Sequence, residues 1–196
     1  MPIDAHRSAL DTLFRAKPAA LLGDLRKALR TPSRTTVFRI LSAAGYTTSY
    51  SHAGRYYTLN RIPKFDGRGI WIYRGIGFSS HGTLRSTVTE LVEASAAGQT
   101  HSELEGVLQL RVHDTLRLLV RARQLSRKQF QQTYVYLSSK TGRAAAQWVQ
   151  RQQLAAAVAV EVEPSHVIEV LLELIRQPTG DAEAVHSVAE GGGVQA

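Results

Sequence analysis

The sequence predicts an α+β fold, mainly helical with small β-hairpins, in which one unit is built twice. Three observations predict it. Apolar residues recur at helical spacing through two sets of three segments. Each set closes in a pair of β-prone runs, "YTTSYSHAGRYYTL" in the first and "LSRKQFQQTYVYLS" in the second. The core positions of the second set follow those of the first at an offset of 79 residues.

In the first set, "DAHRSALDTLFRA" places Ala9, Leu10, Leu13 and Phe14 on one helical face. After the "KP" break, "AALLGDLRKALR" predicts a second helix burying Leu21, Leu22, Leu25 and Leu29. The third is "TPSRTTVFRILSAAGY", with Thr31 as N-cap, Pro32 at the first helical position and Gly45 as the stop. Its inward residues are Val37, Ile40, Leu41 and Ala44. A hairpin follows, Tyr46 to Tyr50 and Arg55 to Leu59, turned by "SHAG" with Gly54 free to take positive φ.

The second set opens with "TLRSTVTELVEASAAG", a helix with Leu84, Val88, Leu91 and Val92 inward and Gly98 as its stop. "THSELEGVLQL" carries capping-box spacing, Thr100 with Glu103 three residues on. "RVHDTLRLLVRARQL" buries Leu116, Leu119 and Val120. At the offset of 79, Leu25 falls on Leu104, Leu29 on Leu108, Thr36 on Thr115, Val37 on Leu116, Ile40 on Leu119 and Leu41 on Val120. In the hairpin the similarity of "GRYYTL" to "QTYVYL" lowers the offset to 78 and makes the second tip one residue shorter.

These patterns divide the chain into a first unit over 5–60, a connector over 61–82, a second unit over 83–139 and a helical tail over 140–196. The connector is too aromatic for a loose linker. "GIWIYRGIGF" predicts a short strand pair around Trp71, Tyr73 and Phe78 that packs the two units in a fixed relation. In the tail, a helix runs through Ala155. A second starts near Ser165 and a short third near Thr179 or Asp181, the beginning of a truncated or degenerate third unit, either used for self-association as a homodimer or left loose.

Three helices and a hairpin, in that order and twice over, resemble the winged helix-turn-helix superfamily across about residues 5–139. The general look is of bacterial regulator-like or mobile-element-associated DNA-binding proteins. The resemblance implies that the third helix of each unit enters the major groove of double-stranded DNA while the hairpin tip, or wing, touches the backbone or the minor groove. In the first unit it points to Ser33, Arg34, Thr35, Phe38, Arg39 and Ser42 on the third helix, and to Ser51, His52 and Arg55 in the wing; Phe38 either meets a thymine methyl or finishes the core. In the second, Arg111, His113, Arg117 and Arg121 lie on the corresponding face, with Arg127 and Lys128 in the wing. Asp114, on that same face, repels phosphate, and the resemblance leaves a packing or dimer surface as the alternative for the second unit.

Charge points the same way. Residues 1–82 hold 13 Lys+Arg against 4 Asp+Glu, and residues 83–150 hold 9 against 5. Residues 151–196 reverse the sign, 2 against 7. A basic body suits a polyanion, and its cations are mostly arginine, which forks onto phosphate and guanine. The first residues carry charges where a signal peptide needs an apolar run, and no stretch approaches the roughly 20 apolar residues of a membrane span. A cytoplasmic, nucleoid-associated protein is expected.

The chain has no cysteine, which excludes disulfides, thiolate metal sites and cysteine nucleophiles. His101 and Glu105 are four apart on a helix, with no third ligand at a zinc-like spacing. Neither a phosphate-binding glycine loop nor a serine-elbow motif occurs. The sequence therefore predicts no enzyme and no cofactor. Two rival readings remain open: a protein-interaction subunit like the accessory subunits of chromosome-condensation complexes, and a single-strand binder stacking bases on Tyr56, Tyr57, Trp71, Tyr134 and Tyr136.

Overall fold

Helix α1 (Ile3–Ala16) buries Leu10 and Phe14, spaced four apart, against the first core. The computed structural model describes residues 3–161, and the fold among them is mixed α+β. After α1 come β1 (Ala20–Leu21), α2 (Leu22–Ala28), α3 (Arg34–Ala44), β2 (Tyr46–Thr48) and β3 (Tyr56–Leu59). The connector forms a hairpin, β4 (Ile70–Tyr73) and β5 (Ile76–Ser79). Then α4 (Leu84–Ala94), β6 (Gln99–Thr100), α5 (His101–Leu108), α6 (His113–Arg121), β7 (Leu125–Phe130) and β8 (Thr133–Ser138) repeat the first order, and α7 (Thr141–Glu161) ends the described chain. No helix among the described residues is long and apolar enough to cross a membrane. The helices expected near Ser165 and Thr179, with the homodimer contact assigned to them, lie outside the described residues.

The strand registers correct the expected offset. The first sheet runs β1-β3-β2 and the other β6-β8-β7, both antiparallel. Ala20 pairs Tyr57 and Gln99 pairs Tyr136; Tyr46 pairs Leu59 and Leu125 pairs Ser138. Each second pair lies 79 residues beyond the first, so the offset holds through the hairpin and the two hairpins have equal length. Tyr57 therefore corresponds to Tyr136, and both are buried. A slip of one residue would have turned each to the opposite sheet face.

The helix starts also differ from expectation. Residues 20–21 are taken up by pairing with β3, so α2 begins at Leu22 and Leu21 turns outward, 38% exposed. Asp24 then accepts the Leu21 N–H at 2.9 Å, as Glu103 accepts the Thr100 N–H at 2.7 Å in the second repeat. The N-cap of α3 is Ser33, whose hydroxyl accepts the Thr36 N–H at 3.2 Å; Thr31 instead accepts from the Ser33 N–H. Gly45 ends α3 with φ +73°, as expected. Helix α4 ends at Ala94 with Ser95 as its C-cap, short of Gly98. Gly98 is small for another reason: a Cβ there would lie 2.6 Å from the Tyr136 carbonyl oxygen.

The connector and the first hairpin tip are knitted together. Ser49 bridges Phe78, the Tyr50 N–H donates to the Gly77 carbonyl at 2.9 Å, and the Gly77 N–H donates to the Ser51 hydroxyl at 2.9 Å. The Tyr50 side chain crosses into the second repeat, where it and Ile70 pack in the core of Val88, Leu104 and Leu116. Its hydroxyl donates to the Leu108 carbonyl at 3.0 Å. Burial, and then the Asp66 carboxylate, push the Tyr50 phenol up to about 12. The expected packing role of the connector thus extends to a shared core.

Helix α7 is tied to the second repeat by side chains four residues apart. Buried Gln147 donates to the Val92 and Ser95 carbonyls at 2.8 and 2.9 Å and accepts the Ser138 N–H at 2.8 Å. Arg143 donates to the Glu93 carbonyl; Arg151 donates to those of Ala97 and Gly98 and grips Glu103 with both terminal nitrogens. These contacts satisfy carbonyls around the α4 C-terminus that lack helical partners. Gln147→Leu strands all three of its partners, so urea denaturation is expected to show a loss on the order of 3 kcal/mol. Arg151 chiefly, and then the Thr100 N–H, hold the Glu103 carboxyl below its ordinary 4.5. That stabilisation is present above pH 4.5 and is lost as pH falls through the lowered value. The stability difference between the wild type and Glu103→Gln, followed by thermal melts, is expected to shrink over that acid limb.

Candidate nucleic-acid interface

Val37 and Leu41 anchor α3 in the first core. That anchoring leaves Thr35, Arg39 and Ser42 exposed on the opposite face, at i, i+4 and i+7. Ser33 caps the helix, so the Arg34 and Thr35 amides ahead of the capped Thr36 N–H are left for an outside acceptor. The first turn carries no acid. Phe38, for which both a thymine contact and a core position were open, is half-buried. Its ring meets Tyr57 edge-on at 5.5 Å and Tyr46 at 6.2 Å and packs against the first core. Arg34 lies over that ring, 5.4 Å from its centroid, at the border of the exposed face.

The tip of the first hairpin is bonded to the connector. His52, Ala53 and Gly54 all have positive φ and fold the tip back on the connector. Ser51, expected at the tip, is buried and serves Gly77. His52 and Arg55 remain exposed. The His52 Nδ1 lies 2.8 Å from the Ser51 hydroxyl, and Arg55 Nε donates to the His52 carbonyl at 3.2 Å. Both side chains are thus braced beside the connector.

The second repeat presents a different helix face. Leu116 and Leu119 anchor α6, and His113, Asp114, Arg117, Leu118 and Arg121 are exposed. At the offset of 79, Asp114 stands where Thr35 does, Leu118 where Arg39 does and Arg121 where Ser42 does. Arg111 is exposed just ahead of the helix. The Val112 N–H donates to Glu105 at 3.0 Å; His101 lies 3.2 Å from the same carboxylate oxygen, and the His113 ring is 6.0 Å from that of His101. No group of three ligating side chains converges to hold a metal among the described residues.

In contrast to the first hairpin, β7 and β8 pair without interruption to a two-residue turn at Gln131 and Gln132. Arg127 lies 4.8 Å over the Tyr134 ring, which is 44% exposed. Lys128 lies 4.1 Å over Trp148 of α7, and Phe130 meets that indole edge-on at 5.7 Å. Sequence reasoning missed Tyr134 as an outward partner of Arg127. The corrected register was the signal, since Arg127 pairs Tyr136 and Tyr134 lies two residues on, on the same face. Of the five aromatics considered for stacking, Tyr134 alone is exposed; Tyr57 and Tyr136 are buried, and Trp71 stacks on Tyr73 at 5.5 Å with both half-covered.

Chemically, these surfaces offer guanidinium groups, hydroxyls and free amides, all donors suited to phosphate oxygens and base edges. No protein-family model, curated protein or solved structure matches the chain.

Proposed function

We propose that the two repeats are tandem winged helix-turn-helix units and that the protein binds double-stranded DNA with sequence preference. The observation that carries this reading is the outer stripe of α3: Thr35, Arg39 and Ser42, exposed, free of acids and beside two unpaired amides. In this reading α3 lies in the major groove with Arg39 on a guanine edge, and Ser33, Arg34 and Thr35 take phosphate oxygens at the helix N-terminus. His52 and Arg55 on one wing, and Arg127 and Lys128 on the other, grip the backbone. A transcriptional regulator, or a component of a nucleoprotein complex in the cytoplasm, fits this arrangement.

A gel shift on mixed genomic fragments at two salt concentrations tests it. Binding at low salt that weakens steeply with added salt is expected, because the cations displace condensed counterions. No shift at low salt would overturn the reading and favour a protein-interaction subunit. Sequencing of the retained fragments identifies the preferred site.

A further inference from the structure

We infer that the exposed face of α6 pairs with the same face of a second copy of this chain. Four outward residues form the face: Asp114, Arg117, Leu118 and Arg121, all exposed. Leu118 is 41% exposed, a large apolar side chain in the middle of a charged stripe. Its equivalent on α3 is an arginine, so the apolar group is peculiar to the second repeat. Among the described residues Asp114, Arg117 and Arg121 have no ion-pair partner.

These features fit one occupant, an antiparallel copy of the same helix. A two-fold axis passing between Arg117 and Leu118 sets residue 114 opposite residue 121 of the other chain, and 117 opposite 118. Each Asp114 then meets a partner Arg121, twice by symmetry, and each Arg117 stem lies across a partner Leu118. The stripe is self-complementary in charge and places its apolar group at the centre. On duplex DNA the same Asp114 would face phosphate, and Leu118 would replace the arginine that reads bases. A nine-residue helix contributes less than the roughly 1,000 Å² of a stable interface, so the pairing is weak and concentration-dependent.

The inference does not rest on DNA binding and is tested without DNA. The chain has no cysteine, so Leu118→Cys creates a single thiol at the proposed axis. Under mild oxidation it is expected to form a disulfide-linked dimer faster than the control Val149→Cys, a more exposed site on α7 (51% against 41%). Adding Asp114→Arg, or Arg121→Asp, sets like charges opposite each other and is expected to slow the cross-link about tenfold or more. Adding both restores opposite charges and is expected to restore the rate. Circular dichroism verifies that each variant is folded. Cross-linking no faster than the control, or no recovery in the doubly charge-reversed protein, overturns the inference. Equilibrium sedimentation of the wild type gives an independent reading: reversible dimers at high concentration support it, and a monomer throughout overturns it. Joined to the DNA reading, a two-fold dimer presents two α3 helices and predicts inverted symmetry in the selected site.

Discussion

Arg39→Ala is expected to abolish most of the preference for a selected DNA site while leaving binding to random duplex nearly intact. Arg39 stands at the centre of the exposed α3 stripe, without an ion-pair partner among the described residues. A bidentate arginine–guanine contact discriminates by about 1–3 kcal/mol, roughly 5- to 150-fold. Arg34→Ala, which also frees Phe38 of its stacked cation, is expected to reduce preference less. Arg127→Ala should differ in kind. Its guanidinium sits on the second wing over Tyr134, so its loss weakens all sequences alike and lowers the salt slope by about one. Fluorescence anisotropy on selected and scrambled duplexes separates the cases. Equal losses on both duplexes for all three variants would sink the assignment of α3 as the reading helix.

Gly77→Ala is the substitution expected to damage the fold most. A Cβ at that position would lie 2.2 Å from Tyr50 Cζ and 2.4 Å from its hydroxyl oxygen. The ring has little room to retreat, because its hydroxyl is held by the Leu108 carbonyl and its body is packed in the second core. Overpacking of this kind costs about 1–3 kcal/mol, and here the upper end applies. For a unit of about 150 residues, that lowers the melting temperature by roughly 10 °C. The loss should be smaller in a Tyr50→Ala background, where the ring that the methyl strikes is gone. Tyr50→Phe is milder and has its own signature. The raised phenol favours the neutral form, so the wild type loses stability as pH climbs from the ordinary 10 towards about 12. Tyr50→Phe is expected to lack that component of the alkaline loss in thermal melts.

Core spacing at 79 residues made the duplication legible, since Leu25 and Leu104, or Leu29 and Leu108, sit on buried faces in both copies. The two-residue strands β1 and β6 left no trace, because "AL" and "QT" are too short to show a period of two. The hairpin offset was misread for a related reason. Tyrosines at 134 and 136 make two registers look alike in letters, whereas the backbone ladder accepts the one that buries Tyr136. Ser51 and Leu21 were misplaced because their positions depend on partners distant in sequence: Gly77 and the β3 backbone. The candidate cations were legible as a class, through composition. Their division into a polar α3 face and a mixed α6 face needed the true register and helix bounds.

The sharing of Tyr50 and Ile70 has a consequence for how such a chain can be inherited or cut. Both residues precede the second repeat, yet both complete its core. A fragment beginning at residue 83 would leave that core open where these side chains belong, and one ending at 82 would expose them. The piece that recombination or cloning can transplant intact is therefore the linked pair, not either copy alone.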